Sequence, residues 1–144
     1  MINKFKGEFG FLSNPYSCQI RFEGFWFNSV ENAFQAAKTE DIVLRRKFRT
    51  CSWWVAKKMG KSLKLRRGWE DIKEGFMLKL VRIKFTDTEL REKLLNTGDQ
   101  ELVEGNYWHD NIWGDCTCPA CIYIIGQNLL GKILMKVREE LRND

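Results

Sequence analysis

The segment that decides the fold runs from residue 29 to residue 38 and reads SVENAFQAAK. Its apolar residues recur every three or four positions, the spacing of one face of an α-helix: Val30, Ala33, Phe34 and Ala37. Ser29 precedes them, where its hydroxyl can accept a hydrogen bond from a free backbone amide of the first turn. The pattern predicts a helix from Val30 to about Lys38 that buries one face in the core.

The same helix carries a polar stripe. Glu31, Gln35 and Lys38 are spaced by four and then three residues, so all three project along one side. Such a stripe is commonly a solvated surface. If the stripe faces a pocket, however, the same acid and base could act as catalytic groups. The spacing alone leaves both interpretations open.

Two signals flank this helix in the chain. Residues 18–27 hold two β-rich runs around Glu23 and Gly24, which predicts a hairpin. On the other side, Ser52 is expected to cap a short helix that Gly60 ends.

Longer helices are predicted farther along, where apolar residues repeat at helical spacing over residues 69–85 and 127–141. No repeat, low-complexity stretch or linker interrupts the chain. The sequence therefore predicts an α+β protein that is mainly helical, a single domain over residues 1–144 with a small N-terminal hairpin and short strands.

The composition is that of a folded protein, since 44% of the 144 residues are hydrophobic and 30% are charged. No apolar run reaches the roughly 18 residues of a membrane span, and no signal peptide begins the chain. We therefore expect a cytoplasmic protein without a membrane partner. The net charge of +5 suits a phosphate-bearing ligand or a nucleic acid. No P-loop or GxGxxG motif supports nucleotide hydrolysis or Rossmann-type redox chemistry.

A second candidate set lies in residues 104–114, which read EGNYWHDNIWG. Trp108 and Asp110 are two positions apart, so in an extended loop an aromatic plate and a carboxylate point to the same side. Such a pair could frame one ligand. A large aromatic side chain in a long loop is equally often an anchor in the core, so both roles stay open for Trp108.

Three cysteines follow this loop. Cys116, Cys118 and Cys121, with His109 upstream, are four residues of the right chemistry for Zn²⁺. The spacing argues against a metal site, because all four candidates fall within 13 residues and only one CxxC pair is present. The sequence favours buried or free thiols. We therefore expect no metal and an activity that survives a chelator.

Six blocks of the chain resemble, in order, the successive motifs of the NADAR family, also called YbiA-like. They cover nearly the whole chain, so the match is more specific than any single motif. The blocks are FLSN at 11–14, SVE with AFQAAKT at 29–39, LR with WE at 65–70, LLxTGD at 94–99, ExNxWxDxxWG at 104–114 and GxNxLGKxLM at 126–135.

The resemblance implies an α+β, mainly helical fold and hydrolysis of N-glycosidic bonds to ribose, without a cofactor. Two family activities are implied as alternatives. One cleaves phosphoribosylamino-pyrimidine intermediates of riboflavin synthesis, and the other removes ADP-ribose from guanine in nucleic acid. The expected partner is thus a small phosphoribosyl or ADP-ribosyl substrate, or an ADP-ribosylated nucleic acid. The rival hypothesis is a non-catalytic module that binds ADP-ribose or nucleic acid through its tryptophans.

The resemblance and the residue chemistry together indicate the site. Cleavage of a ribosyl C–N bond develops positive charge on the sugar, which a carboxylate of Glu31 or Asp110 would stabilise. Lys38 would either hold phosphate or attack C1 of the open-chain sugar as an amine. The predicted substrate-binding residues are Ser13, Asn14, Gln35, Trp69, Asn106, Trp108 and Asn128.

Overall fold

A computed structural model covers residues 1–144. Its contacts divide the chain into two compact units, Asn14–Thr86 and, together, Met1–Ser13 with Asp87–Asp144. Each unit is described by itself, and the single domain over residues 1–144 stays a prediction. None of the helices has both the length and the apolar character that a membrane crossing requires.

The unit Asn14–Thr86 contains a hairpin and four helices. The hairpin pairs β1 with β2 antiparallel, with Arg21 opposite Trp26. Glu23 and Gly24 join the strands with φ of 45° and 89°, the left-handed conformation of a tight hairpin turn. The predicted hairpin is confirmed. The elements are β1 (Ile20–Phe22), β2 (Phe25–Phe27), α1 (Val30–Ala37), α2 (Ile42–Arg46), α3 (Trp53–Ser62) and α4 (Trp69–Lys84).

Helix α1 lies at the centre of this unit, packed against α3 and α4. The predicted cap is confirmed, because the Ser29 hydroxyl accepts a hydrogen bond from the Asn32 amide at 3.0 Å. All eight residues of α1 are buried, including Glu31 and Gln35 of the polar stripe, whereas Lys38 follows the helix and is half-buried. The interpretation of Glu31 and Gln35 as a solvated surface is therefore wrong.

Gly60 does not end the helix that follows Ser52, so that prediction is wrong. Helix α3 continues through Gly60 to Ser62. A Cβ atom at position 60 would collide with the Gln35 side chain of α1. The absence of a side chain at Gly60 thus allows α1 and α3 to pack closely and does not end α3.

The other unit contains two helices, two short parallel strands and two 3₁₀ turns. β3 and β4 pair Gly105 with Asp115 and Asn106 with Cys116. The Asp87 carboxylate caps α5 by accepting a hydrogen bond from the Leu90 amide at 3.0 Å. The elements are the turn Gly7–Leu12, α5 (Thr88–Leu95), β3 (Gly105–Asn106), β4 (Asp115–Cys116), the turn Pro119–Cys121 and α6 (Leu129–Arg142).

Helix α4 ends in a buried lysine. Lys84 is 3% exposed. Its Nζ atom lies 5.4 Å from the ring centre of Tyr16 and 5.3 Å from that of Phe85. Loss of solvation lowers the pKa of Lys84 to about 8, and the charge of nearby Cys18 only partly opposes this.

We expect Lys84→Met to gain stability relative to the parent at pH 7 and to lose that relative gain as the pH rises to 10.5. The folded parent loses its proton near pH 8, while the unfolded chain keeps it up to 10.5, the ordinary pKa of a lysine. The parent therefore becomes more stable across this window, by an amount on the order of 3 kcal/mol. Urea unfolding at several pH values measures the difference. The exposed Lys79→Met is the control, and a pH-independent difference would contradict the prediction.

Candidate active site

The carboxylate of Glu31 is buried at the contact between α1 and α3. Its Oε2 atom accepts a hydrogen bond from Gln35 Nε2 at 3.1 Å, and its Oε1 atom lies 3.6 Å from Lys57 Nζ. The backbone amide of Glu31 donates to the carbonyl oxygen of Asn14 at 3.0 Å. The Glu31 carboxylate is thus 6% exposed and lies beside one lysine in a place of reduced solvation, where Coulomb interactions are stronger than in water.

Gln35 is held between this acid and α3. Its amide nitrogen donates to Glu31, whereas its Oε1 atom is buried without a hydrogen-bond partner. Gly60 of α3 packs directly against that oxygen. Gln35 thus orients the Glu31 carboxylate and depends on a glycine opposite it. The predicted contact of Gln35 with substrate stays a prediction.

Lys38 lies one residue beyond the last turn of α1 and is half-buried. Loss of solvation lowers the pKa of Lys38, while the charge of Glu31 opposes the shift. Lys73 and Lys57 lower the pKa further, and Glu70 raises it. An amine that gives up its proton more readily than an exposed lysine suits a nucleophile.

Lys57 is a member of this site that sequence reasoning did not assign. In the sequence it is one of several lysines within α3. No local spacing relates Lys57 to Glu31, because the pair forms only through the packing of α1 on α3. A buried acid in a predicted core helix is the one signal that a partner cation should exist.

Trp69 is the first residue of α4 and is only 5% exposed. Its ring lies 5.3 Å from that of Phe34 and is stacked on Phe76 at 5.9 Å between ring centres. These contacts give Trp69 a packing role and cover the ring. The predicted contact of Trp69 with the substrate stays a prediction. Trp108, in contrast, is 55% exposed.

We therefore expect different results from truncating the two tryptophans. Trp69→Ala should lose about 3–5 kcal/mol of stability, as large core truncations do. Trp108→Ala should keep the parent Tm and, if its ring stacks on the base, bind an uncleaved N-glycoside analogue about 5- to 100-fold more weakly. Thermal unfolding and calorimetric titration measure the two effects. A stable Trp69→Ala variant with weakened binding would return Trp69 to the binding site.

The loop with Asn106 and Asp110 is shaped by these two side chains. Asn106 is 2% exposed, and its Oδ1 atom accepts hydrogen bonds from the amides of Trp108 and Asp110, both at 3.2 Å. Asp110 Oδ1 in turn accepts from the amides of Ile112 at 3.1 Å and Trp113 at 2.9 Å. Asn106 therefore has a structural role here, and half-buried Asp110 has only its second oxygen, Oδ2, available for a ligand.

The remaining predicted binding residues also make bonds within the fold. Asn128 accepts a hydrogen bond from the Glu104 amide at 3.0 Å and donates to the Leu102 carbonyl at 2.9 Å. The Ser13 hydroxyl donates to the carbonyl of Gly10 at 2.9 Å. Asn14 is 8% exposed and donates to the Met77 sulfur at 3.5 Å. Their contacts with substrate stay predictions.

A cleft of about 350 Å³ opens beside the start of α1. Trp53 and Trp54 form an aromatic pair at its edge, with ring centres 5.7 Å apart and with 38% and 62% of their surfaces exposed. Asn32 and Cys51 also line this cleft, but none of the predicted site residues does. In the sequence, the only indication of this cleft is the pair of adjacent tryptophans Trp53 and Trp54 after the cap residue Ser52.

The three cysteines and His109 converge in the unit that contains α6. Their sulfur and nitrogen atoms all lie within 4.8 Å of one another. Burial opposes ionisation of Cys116, yet hydrogen bonds from Cys118 and His109 lower its pKa to about 7. Burial and the neighbouring Cys116 raise the pKa of Cys121 to about 11. The three cysteines are buried free thiols. Their convergence with His109 does not follow from the spacing alone, because it depends on the chain folding back between residues 109 and 121.

Comparison with known proteins identifies the family to which this chain belongs. A family model described as the NADAR domain matches residues 3–142. The chain belongs to the NADAR family. The predicted family and the predicted α+β, mainly helical fold are both confirmed.

Individual relatives agree with this membership. The N-glycosidase YbiA of Escherichia coli is 38% identical over 138 residues, 93% of this chain and 82% of that protein. A riboflavin biosynthesis protein of Vibrio vulnificus is 39% identical over 137 residues, 92% of this chain but only 36% of that protein. The NMR structure of E. coli YbiA superposes with a TM-score of 0.82 at 35% identity, over 99% of this chain and 88% of that one. The relatives named N-glycosidases support hydrolase activity on N-glycosyl bonds.

Proposed function

We propose that this N-glycosidase hydrolyses the bond between C1 of ribose 5-phosphate and the nitrogen of an amino-pyrimidine. The observation that carries the proposal is the Glu31 carboxylate, 6% exposed and 3.6 Å from Lys57, on the same helix face as Lys38. The name of the V. vulnificus relative, a riboflavin biosynthesis protein, supports a substrate of this class.

The proposed reaction breaks the C1–N bond, and its electron pair leaves with the base nitrogen, which takes up a proton. Positive charge then develops on C1 and the ring oxygen, and the Glu31 carboxylate stabilises it. Water supplies the oxygen that bonds to C1 and gives up a proton, so ribose 5-phosphate and a free base result. In the alternative route, the neutral Lys38 amine adds to C1 of the ring-opened sugar, and the base then leaves with the electron pair of the C1–N bond and a proton. Water hydrolyses the resulting Lys38 imine to ribose 5-phosphate and the free amine.

The test offers the purified protein two substrates, a phosphoribosylamino-pyrimidine and an ADP-ribosylated guanine oligonucleotide. Mass spectrometry of the released sugar should show ribose 5-phosphate from the first. If only ADP-ribose is released, the substrate is ADP-ribosylated nucleic acid and not the phosphoribosylamino-pyrimidine. Binding of both substrates without release of a sugar would favour the non-catalytic module. The names of the relatives, which are N-glycosidases, favour the enzyme instead.

Asp110 is proposed as the second acid of the reaction. Asp110→Asn is a sharp test, because an asparagine Oδ1 can still accept the bonds from the Ile112 and Trp113 amides that hold the loop. We expect a fall in kcat of about 100-fold with an unchanged Tm, the size seen when one stabilising group is removed. Parent kcat in this variant would leave Asp110 with its structural role alone.

A further inference from the structure

We propose that His109, Cys116, Cys118 and Cys121 bind one Zn²⁺ ion in a closed structural site. Zinc prefers tetrahedral coordination by thiolate and imidazole. Bond lengths of about 2.3 Å to sulfur and 2.0–2.1 Å to nitrogen place neighbouring ligands about 3.6 Å apart for S···N and about 3.8 Å for S···S. Here His109 Nδ1 lies 3.3 Å from Cys118 Sγ and 3.4 Å from Cys121 Sγ. All four ligand atoms lie within 4.8 Å of one another.

The backbone brings these four residues together by three local devices. The pairing of β3 with β4 places Cys116 beside Asn106. The turn Pro119–Cys121 folds back on itself, since the Cys121 amide donates to the Cys118 carbonyl at 3.0 Å. His109 adopts a left-handed φ of 69°, uncommon for a residue with a side chain, and presents its ring to the sulfurs. A bound ion would account for that backbone conformation.

The surroundings of the sulfurs also suit thiolate ligands. The backbone amide of His109 points at Cys116 Sγ at 3.3 Å, and Asn111 Nδ2 points at Cys121 Sγ at 3.4 Å. Asn111 is itself held in place, because its Oδ1 atom accepts from the Cys116 amide at 2.9 Å. Such outer hydrogen bonds orient metal ligands and stabilise their negative charge.

The ligand set also determines what the ion does. Three sulfurs and one imidazole fill a tetrahedral shell and leave no position for water or substrate, so the role of the ion is structural. Sulfur ligands select zinc over magnesium or calcium. The ion would hold the chain between His109 and Cys121, which lies next to Trp108 and contains Asp110.

The first experiment measures metal content in the full-length protein produced with zinc in the medium. We expect about one zinc per chain, and less than about a fifth of that in Cys118→Ser and in His109→Ala, which each lose a ligand. Cys51→Ser is the matched control, since Cys51 lies outside the cluster, and it should keep the parent zinc content. Iron in place of zinc, or no metal at all in the parent, would overturn the proposal.

A second measurement does not depend on the folding of the variants. The parent is stripped with a chelator under reducing conditions and titrated with Co²⁺. Tetrahedral thiolate coordination should produce strong visible bands and a sulfur-to-cobalt charge-transfer band that saturate near one equivalent and disappear when zinc is added. In the zinc-loaded protein, a thiol reagent should react only with Cys18 and Cys51, because the other three cysteines are bound to the ion. Weak octahedral cobalt bands, or a disulfide within the cluster, would contradict the assignment.

Discussion

Replacing Glu31 by glutamine should lower kcat about 100-fold or more while leaving KM close to that of the parent. The amide keeps the shape of the side chain but removes the charge that stabilises the developing cation, an interaction strongest in the transition state. Its oxygen can still accept the hydrogen bond from Gln35 Nε2 that now holds Glu31 at 3.1 Å. The Glu31→Gln variant therefore removes the charge of the side chain without changing its packing.

Steady-state kinetics with ribose 5-phosphate detection measures this effect, with Tm as the check on folding. The exposed Glu74→Gln on α4 is the control, because it removes the same charge away from the site. A Glu31→Gln variant that keeps most of the parent kcat would remove Glu31 from catalysis and leave it as the buried partner of Lys57.

Removing the amine of Lys38 should have the second large effect. We expect Lys38→Ala to lower kcat/KM by about 100-fold or more, whichever of its two proposed roles is correct. Lys38→Arg distinguishes the roles. Arginine keeps the charge that holds phosphate but cannot form an imine, so only a phosphate-binding residue is rescued by it. Near-parent activity of Lys38→Ala would exclude both roles.

The pH profile provides a second distinction, because the pKa of Lys38 is lowered by its burial. A nucleophilic amine must be neutral, so kcat/KM should rise as the pH rises through that lowered pKa. A phosphate-holding ammonium must be charged, so KM should increase over the same range. Borohydride added during turnover should trap a covalent adduct on Lys38 only in the first case. No adduct together with a rising KM would assign Lys38 to phosphate.

The candidate site was only partly predictable from the sequence. The helical spacing of Glu31, Gln35 and Lys38 placed them on one face, which is a local property of the helix. Their burial was not local, because it results from the packing of α1 against α3 and α4. The ion pair with Lys57 and the close contact with Gly60 depend on the same packing.

The surroundings of Trp69 and of the three cysteines were also not predictable from the sequence. The sequence placed Trp69 among the substrate-binding residues but did not predict its packing against Phe34 and Phe76. The spacing of the cysteines did not predict that they lie close together, and the short β3–β4 pairing and the turn Pro119–Cys121 bring them together with His109. Neither arrangement is encoded by a repeating interval along the chain.

The sequence by itself determined the hairpin around Glu23 and Gly24, the capped helix at residues 30–37 and, through its ordered motifs, the family. These features depend on residues a few positions apart, where backbone geometry alone relates pattern to structure. Only the tertiary structure decided which polar groups lose their water and which charges meet, such as Glu31 with Lys57. The solvation of a group and its Coulomb interactions depend on how distant segments pack against each other. No local pattern in the sequence specifies the distances between those segments.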